Sequence, residues 1–314
     1  MAVTVGQVIG EAEYTTLRSG INLVMGTPTG TGAGAAGYNE TTTAPAVAPG
    51  DKITAAAWNA LKADVEIAYK HQTGALPDPA LATVNTDSGI TKTVHDALET
   101  VVNFVKDPAN RFLIGAGQFS TVSASSKVKA AGWNGTLVHD VTFTWPSANE
   151  AKAFFNAGGK LIFSSAMSYT GTQTKTVDWK NMIAGVGTVT MDHISVTKTG
   201  ASGTIINDGF YDLDTTARYL VSKAGTTPYA ENDYQIEARS ITNGVRIRMI
   251  YRDDDAGDQQ PIVGAGPAGP AVDENVVAPL TSSMSYIRPI ATGGVTVQAP
   301  LVNAGATMSA SWNP

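Results

Sequence analysis

The chain has no cysteine, few charged residues and no long apolar run, and each absence removes a class of protein. Without cysteine, neither disulfides nor cysteine-ligated zinc sites can form, so packing must hold the fold together. No window approaches the roughly 18 consecutive apolar residues that a membrane helix needs. The first residues also lack a basic segment followed by an apolar core. We therefore expect neither a membrane-spanning helix nor a signal peptide.

Charged residues make up only 15% of the chain, and 21 basic against 27 acidic residues give a net charge of −6. Because nucleic acids and anionic lipids are themselves negative, this balance disfavours both as broad partners. The 314 residues are 43% hydrophobic, which suffices for a sizeable core and for about two domains. Gly, Ala, Thr and Ser are abundant, as in many extracellular, virion and adhesive β proteins.

Three segments near the N-terminus carry apolar side chains at helical spacing, and they cover residues 7–25, 54–74 and 93–105. The second has the clearest pattern, with Thr54 as N-cap and Gly74 as stop. Its apolar stripe consists of Trp58, Leu61, Val65 and Tyr69. We expect this stripe to pack on the first helix or on another subunit.

The stretch 145–199 contains the most ordered series of local signals. Ser147 and Glu150 form a capping-box pattern that predicts a short helix, which Gly158-Gly159 should end. Alternating residues then predict a strand over 161–168, a second short helix over 177–185 and a strand over 187–199.

Later segments alternate with a period of two, which is typical of strands. The predicted hairpin at Asn243-Gly244 is the strongest of these signals, since Asn-Gly favours tight hairpin turns. The predicted strands cover residues 203–207, 209–221, 233–241, 245–252, 283–290 and 295–299.

These patterns predict an α+β fold with segregated parts. A helical region over 1–114 would serve docking or assembly, and 115–135 would be a polar linker. Residues 136–314 would form a mostly antiparallel β domain, a sandwich or a barrel, with two short helices.

A glycine-rich segment, Gly32–Gly37, matches the bare G-x-G-x-x-G pattern of dinucleotide sites. Such a site needs a strand before the pattern and a helix after it. Here a predicted helix precedes it and no helix opens behind it, so we expect an interhelical loop and no cofactor.

Acidic residues cluster twice. Asp253, Asp254, Asp255 and Asp258 could offer oxygen ligands to calcium, but they lack EF-hand spacing, and a solvated loop of like charges is the simpler interpretation. Whether this loop binds calcium stays open. We interpret a second set as outward residues of a strand and its turn; it comprises Asp208, Asp212 and Asp214.

The histidines fall in separate elements without metal-ligand spacing, and no G-x-S-x-G motif supports a Ser/His/Asp triad. We expect each to be a surface or interface residue; they are His71, His95, His139 and His193. Basic residues group only as Lys127 and Lys129, and as Arg246, Arg248 and Arg252. We expect the arginines on the hairpin to pair with Glu237 or with a partner subunit. No catalytic, cofactor or metal residue is predicted.

Two segments resemble virion structural proteins of tailed bacteriophages, especially contractile-tailed phages that infect cyanobacteria. They are GDKITAAAWNALKADVEIAYKHQTG (Gly50 to Gly74) and FFNAGGKLIFSSAMS (Phe154 to Ser168). The resemblance implies a non-enzymatic building block of the tail, neck, baseplate or an attached fibre. It further implies a homo-oligomer, a trimer or hexamer, in contact with other virion proteins, and a location in the virion after assembly in the host cytoplasm.

Two alternatives remain. The first is a fibre or adhesin that binds host-surface glycans through stacking tyrosines, namely Tyr169, Tyr211, Tyr229 and Tyr251. The second is a glycan depolymerase with a carboxylate pair drawn from Glu150, Asp178, Asp212 and Glu237.

Overall fold

A computed structural model of the chain describes residues 9–87, 89–130, 132–255, 275–291, 294–305 and 308–310. Within this part of the chain the fold is α+β, as predicted, with the first three helices N-terminal and two mostly antiparallel sheets following. The described residues form two compact units. The first lies within Met1–Thr121, Pro146–Gly159 and Ile287–Ala299, and the second within Val122–Trp145, Lys160–Tyr286 and Pro300–Pro314.

The first unit is built on three α-helices that pack against one another: α1 (Glu11–Met25), α2 (Ala55–Thr73) and α3 (Lys92–Lys106). All three confirm the predicted helices, although α1 begins at Glu11, after its N-cap Gly10, and so later than the predicted start. Their buried faces follow the apolar spacing in the sequence. The side chains that fill the core include Tyr14, Leu17, Ile21, Trp58, Leu61, Val65, Leu98 and Val102.

Local capping explains the ends of α2. The Thr54 hydroxyl accepts a hydrogen bond from the Ala57 amide at 3.1 Å, and Gly74 ends the helix with φ of +85°. In the middle of α2, the buried Asp64 carboxylate accepts hydrogen bonds from the backbone amides of Thr43 and Ala44, at 2.9 Å each. This carboxylate therefore fixes the loop after α1 against α2.

A fourth helix of the first unit, α4 (Ala148–Asn156), forms half of the predicted capping box. The Ser147 hydroxyl accepts from the Glu150 amide at 3.2 Å. The Glu150 carboxylate, however, accepts from the Asn39 side chain at 2.7 Å, so it stabilises a loop of the same unit.

The second unit is a β-sandwich. One sheet has the order β1-β10-β3-β4-β5 and the other β11-β2-β9-β8-β7-β6, with β12 also paired to β2. The strands are β1 (Phe119–Lys129), β2 (Leu137–Thr144), β3 (Lys160–Met167), β4 (Val189–Met191), β5 (Val196–Lys198), β6 (Thr204–Ile205), β7 (Arg218–Ala224), β8 (Asp233–Ile241), β9 (Gly244–Arg252), β10 (Leu280–Pro289), β11 (Leu301–Ala304) and β12 (Ser309–Ala310), and helix α5 (Thr174–Val186) lies between β3 and β4.

Hydrogen bonds between side chains join the facing sides of these two sheets. Ser165 on β3 contacts the hydroxyl groups of Tyr251 at 2.6 Å and Tyr234 at 2.9 Å. Both tyrosines are fully buried and stack at a centroid distance of 5.1 Å. Of the two architectures that the sequence left open, the structure therefore shows a sandwich.

The predicted Asn-Gly hairpin is confirmed as the turn between β8 and β9. Asn243 has φ of +55°, and Ile241 pairs with Gly244 across the turn. Arg248 lies opposite Glu237 on the outer face, and their side chains form the predicted ion pair at 3.1 Å.

Three strand predictions and the linker prediction are wrong. The supposed linker 115–135 contains β1, whose Ser- and Lys-rich sequence suits an edge strand. The strand expected over 187–199 is a hairpin of β4 and β5, since the Asp192 carboxylate accepts from the Ser195 amide at 2.7 Å and closes a turn. Residues 209–221 begin with a 3₁₀ turn (Phe210–Asp212) before β7, and residues 295–299 form no strand.

Candidate functional site

The edge strands of the sandwich carry its most exposed large apolar side chains. Among the described residues, Leu301 on β11 is 73% exposed and Val128 on β1 is 66% exposed. Ile205 on the opposite edge strand, β6, is also exposed. Edge strands present unpaired backbone N–H and C=O groups, so an apolar side chain beside them favours contact with another chain. We call Leu301 and Val128 the edge residues.

The outer face of the β11-to-β6 sheet is charged. Arg246 donates to the Asp140 carboxylate, with 2.9 Å between Nε and Oδ1, and Arg252 pairs with Asp233 at 3.1 Å. Arg239 lies directly opposite Arg246 in the ladder, and neither an ion pair nor a hydrogen bond of its side chain is found among the described residues. Arg239 and Arg246 therefore lie side by side, and of the two only Arg246 binds a carboxylate, that of Asp140.

A recess of about 380 Å³ lies beside this arginine pair. Asp140, Thr142, Arg239, Arg246 and Asn303 contribute to its lining. Because a guanidinium without an acidic partner offers several N–H donors in a fixed plane, the recess suits a carboxylate or a sulfate group. The sequence did not predict it, since Asp140 and Asn303 come from β2 and β11, which are far from the predicted hairpin in the chain.

Three of the histidines expected at the surface are buried instead. His71, His95 and His139 are at most 2% exposed, and only His193 is partly exposed. Residues distant in the sequence enclose these rings: His139 contacts Ser282, and His95 lies beside the Trp58 ring at a centroid distance of 6.4 Å. His71 Nε2 lies 2.9 Å from the Ala157 carbonyl oxygen and donates to it.

His139 forms the centre of a serine–histidine–serine array inside the sandwich. Its Nε2 lies 2.8 Å from the Ser125 hydroxyl, and its Nδ1 lies 2.8 Å from the Ser282 hydroxyl. Burial lowers the pKa of His139 to about 4, so the ring is neutral near pH 7. A serine–histidine contact is typical of hydrolases, but all three groups are buried, and we interpret this array as a polar link between the two sheets.

His95, Asp96 and Glu99 are the one acid–histidine cluster of metal-ligand geometry found in the described ranges. The His95 Nδ1 lies 3.3 Å from Asp96 and 4.0 Å from Glu99. The Lys92 ammonium already pairs with Asp96. Since this cation neutralises the carboxylate, we assign no metal to the cluster.

The aspartates after β9 are not a solvated loop. Asp253 and Asp255 are buried, and both carboxylates contact the fully buried ammonium of Lys175. Asp254 is exposed, and its carboxylate lies 3.6 Å from Arg252. Asp258 lies outside the described residues. The sequence did not indicate this cluster, because a lysine near the start of a short helix is ordinarily a surface residue.

The other predicted acidic residues have local structural roles. Asp208 and Asp214 both pair with Arg218, at 3.1 and 2.7 Å, and Asp212 accepts from the Gly209 amide at 3.0 Å. These bonds fix the loop before β7.

The four carboxylates considered for a depolymerase are each engaged nearby. Asp178 accepts from the Thr226 amide at 3.2 Å, and Glu237 binds Arg248. Glu150 and Asp212 have the contacts given above. Of the stacking tyrosines, Tyr229 and Tyr251 are buried and cannot meet a sugar, whereas Tyr169 and Tyr211 are partly exposed.

The glycine-rich segment is a loop, as predicted. Gly32–Gly34 form a single 3₁₀ turn between α1 and α2, and Thr29 pairs with Ala36 around it. None of the helices in the described ranges has the combination of length and apolar sequence that a membrane span requires.

Comparisons of the chain with protein-family models, with curated proteins and with solved structures gave no match.

Proposed function

We propose that this chain is a non-enzymatic structural subunit of a tailed-phage virion, part of the tail, neck, baseplate or an attached fibre. The placement of the edge residues carries the proposal. The two most exposed large apolar side chains of the described residues, Leu301 and Val128, both lie on edge strands of the sandwich. The resemblance of residues 50–74 and 154–168 to virion proteins supports the same function.

The edges suit association between copies of the chain. β1 is an 11-residue strand whose partner in the sheet, β10, lies on one side. An edge of this length offers a neighbouring chain both backbone hydrogen bonds and, at Val128, an apolar contact. A closed ring or fibre repeats one such contact by symmetry, and a trimer or hexamer is the assembly that we propose.

The test is the solution mass of the purified protein, measured by light scattering during size-exclusion chromatography. We expect a trimer or hexamer for the wild type and a lower mass for the double variant Leu301→Lys/Val128→Lys. The matched control is Leu76→Lys, because Leu76 is 58% exposed but lies in a loop of the first unit. A monomeric wild type, or equal loss of mass in the control, would contradict the role of the edges.

A second function, binding of host-surface glycans, is favoured by the arginine recess. Arg239 and Arg246 suit an acidic sugar that carries a carboxylate or a sulfate. An array of acidic and neutral glycans would test it. We expect binding of acidic glycans alone, lost in Arg239→Gln and kept in Arg218→Gln, whose arginine is already paired with two aspartates.

A further inference from the structure

Lys175 is a fully buried lysine inside the second unit. Its ammonium lies 3.0 Å from Oδ2 of Asp253 and 2.8 Å from Oδ1 of Asp255. The side chains of Lys175 and Asp253 have no solvent-exposed area, and that of Asp255 is 8% exposed. Removing charged groups from water costs several kcal/mol for each charge, and pairing offsets this cost only when the geometry is good. An ion pair on the surface would join α5 to the end of β9 with a smaller desolvation cost.

The surroundings exclude water from the lysine. Trp179 lies one helical turn after Lys175, on the same face of α5, and is fully buried. Its ring packs on Trp133 at a centroid distance of 5.0 Å and near Tyr251 at 6.5 Å. The cluster therefore combines charged groups with an aromatic wall.

Asn232 holds the two aspartates in place. It is fully buried, and its side-chain oxygen accepts from the backbone amides of Asp254 at 2.9 Å and Asp255 at 3.1 Å. The amide thus fixes the backbone that presents both carboxylates to the lysine.

The two carboxylates differ in their protonation. Burial raises the pKa of Asp253 to about 7, so this carboxyl group is partly in its acid form near neutral pH. Burial acts in the same direction on Asp255, but its hydrogen bonds with Asp253 and Lys175 outweigh it and lower the pKa of Asp255. One carboxylic acid and one carboxylate therefore flank the same amine.

We propose that Lys175 and Asp253 condense into an intramolecular isopeptide bond, with Asp255 as the proton acceptor. The Lys175 ammonium gives one proton to the Asp255 carboxylate, and the freed lone pair of Nζ attacks Cγ of the Asp253 carboxylic acid. The C–O bond then breaks, and the hydroxyl leaves with a second proton from Nζ. The products are one secondary amide, one water molecule and a protonated Asp255, so atoms and charge balance.

Physical reasons support this step. Well-oriented groups held in contact can reach effective concentrations of about 10⁵ M or more, which would offset the poor reactivity of a carboxylic acid. Exclusion of water also favours the amide, because water is the product that must leave and the reagent for the reverse reaction. The bond would tie α5 covalently to the end of β9, a benefit to a structural subunit, although the chemistry does not depend on that function.

The test is the intact mass of the denatured, purified full chain. We expect the wild type to be lighter than its sequence by one water molecule, and fragment spectra to join the peptides that contain Lys175 and Asp253. A wild type that keeps its full sequence mass after folding and prolonged incubation at neutral pH would overturn the proposal, whatever any variant does.

Four variants give the assignment. Lys175→Met and Asp255→Asn should keep their full mass, and Asp253→Asn should lose ammonia in place of water. Lys180→Met is the matched control, because Lys180 lies on the same helix and donates to the Tyr169 carbonyl at 2.8 Å. It should lose water like the wild type. Retention of the water loss in Lys175→Met would place the modification elsewhere and contradict the proposal.

Discussion

Lowering the pH should destabilise the first unit through one buried residue, His71. The ring is fully buried, and burial lowers its pKa from 6.5 to about 4. Nε2 donates to the Ala157 carbonyl, and Nδ1 has no hydrogen-bond partner in the described residues. A second proton on the ring would therefore lie in a dry site without an acceptor.

The direction and size of the effect follow from proton linkage. The unfolded chain binds the proton first as the pH falls, since its histidine titrates near 6.5. The stability that the neutral ring provides is thus complete above pH 6.5 and is lost between pH 6.5 and about 4. The gap between these pKa values, at about 1.4 kcal/mol for each pH unit, gives about 3 kcal/mol.

The assay is urea unfolding at several pH values between 4 and 7. Unfolding is monitored by hydrogen exchange of the α2 peptides, because these report on the first unit alone. His71→Gln keeps an N–H donor for Ala157 but removes the titration, so its unfolding free energy should fall less with pH. Leu98→Ala is the control, because it creates a cavity in the same core and lowers the unfolding free energy by about 2–5 kcal/mol without changing a titratable group. The same pH dependence in His71→Gln and the wild type would refute the reasoning.

Two further predictions concern single residues of the first unit. Asp64→Ala should lower the unfolding free energy by about 3 kcal/mol, since it leaves the buried Ala44 amide and the Thr43 amide without their charged acceptor, whereas Asp51→Ala, at an exposed turn, should cost less than about 1 kcal/mol. Urea unfolding curves measure both, and equal losses would contradict the role of Asp64. Gly74→Ala should cost more than Gly50→Ala in thermal melts: both residues have positive φ, but an added methyl at Gly74 would lie 2.7 Å from a backbone oxygen, whereas at Gly50 it meets nothing. Equal melting temperatures would exclude that steric contact.

Local chemistry allowed much of the fold to be predicted. Thr54, Gly74, Ser147 and Asn243 act within a few residues of themselves, so capping and turn rules located α2, α4 and the β8–β9 hairpin correctly. The spacing of apolar residues, three to four positions in the helices and two in the strands, predicted which face of each element is buried. This spacing is also a local property of the sequence.

The errors arise where distant residues decide. β1 resembles a linker because an edge strand with one covered side needs little apolar sequence. The burial of His71 and His139 depends on partners 86 and 143 positions away, Ala157 and Ser282. No local pattern contains such information.

The candidate sites follow the same rule. Lys175, Asp253 and Asp255 meet only because α5 lies beside the end of β9. The arginine pair lies within the predicted hairpin, but its recess also needs Asp140 of β2 and Asn303 of β11. Composition identified neither, although the aspartate run was visible as a cluster.

The most direct test of the proposed function is the protein content of purified virions. Particles from a lysate in which this chain is expressed should be purified on a density gradient and analysed by quantitative mass spectrometry. We predict that the chain comigrates with the particles and that its copy number per particle is fixed and is a multiple of three, as a trimer or hexamer requires. Its absence from the particles, together with a monomeric mass in solution, would contradict a structural function in the virion.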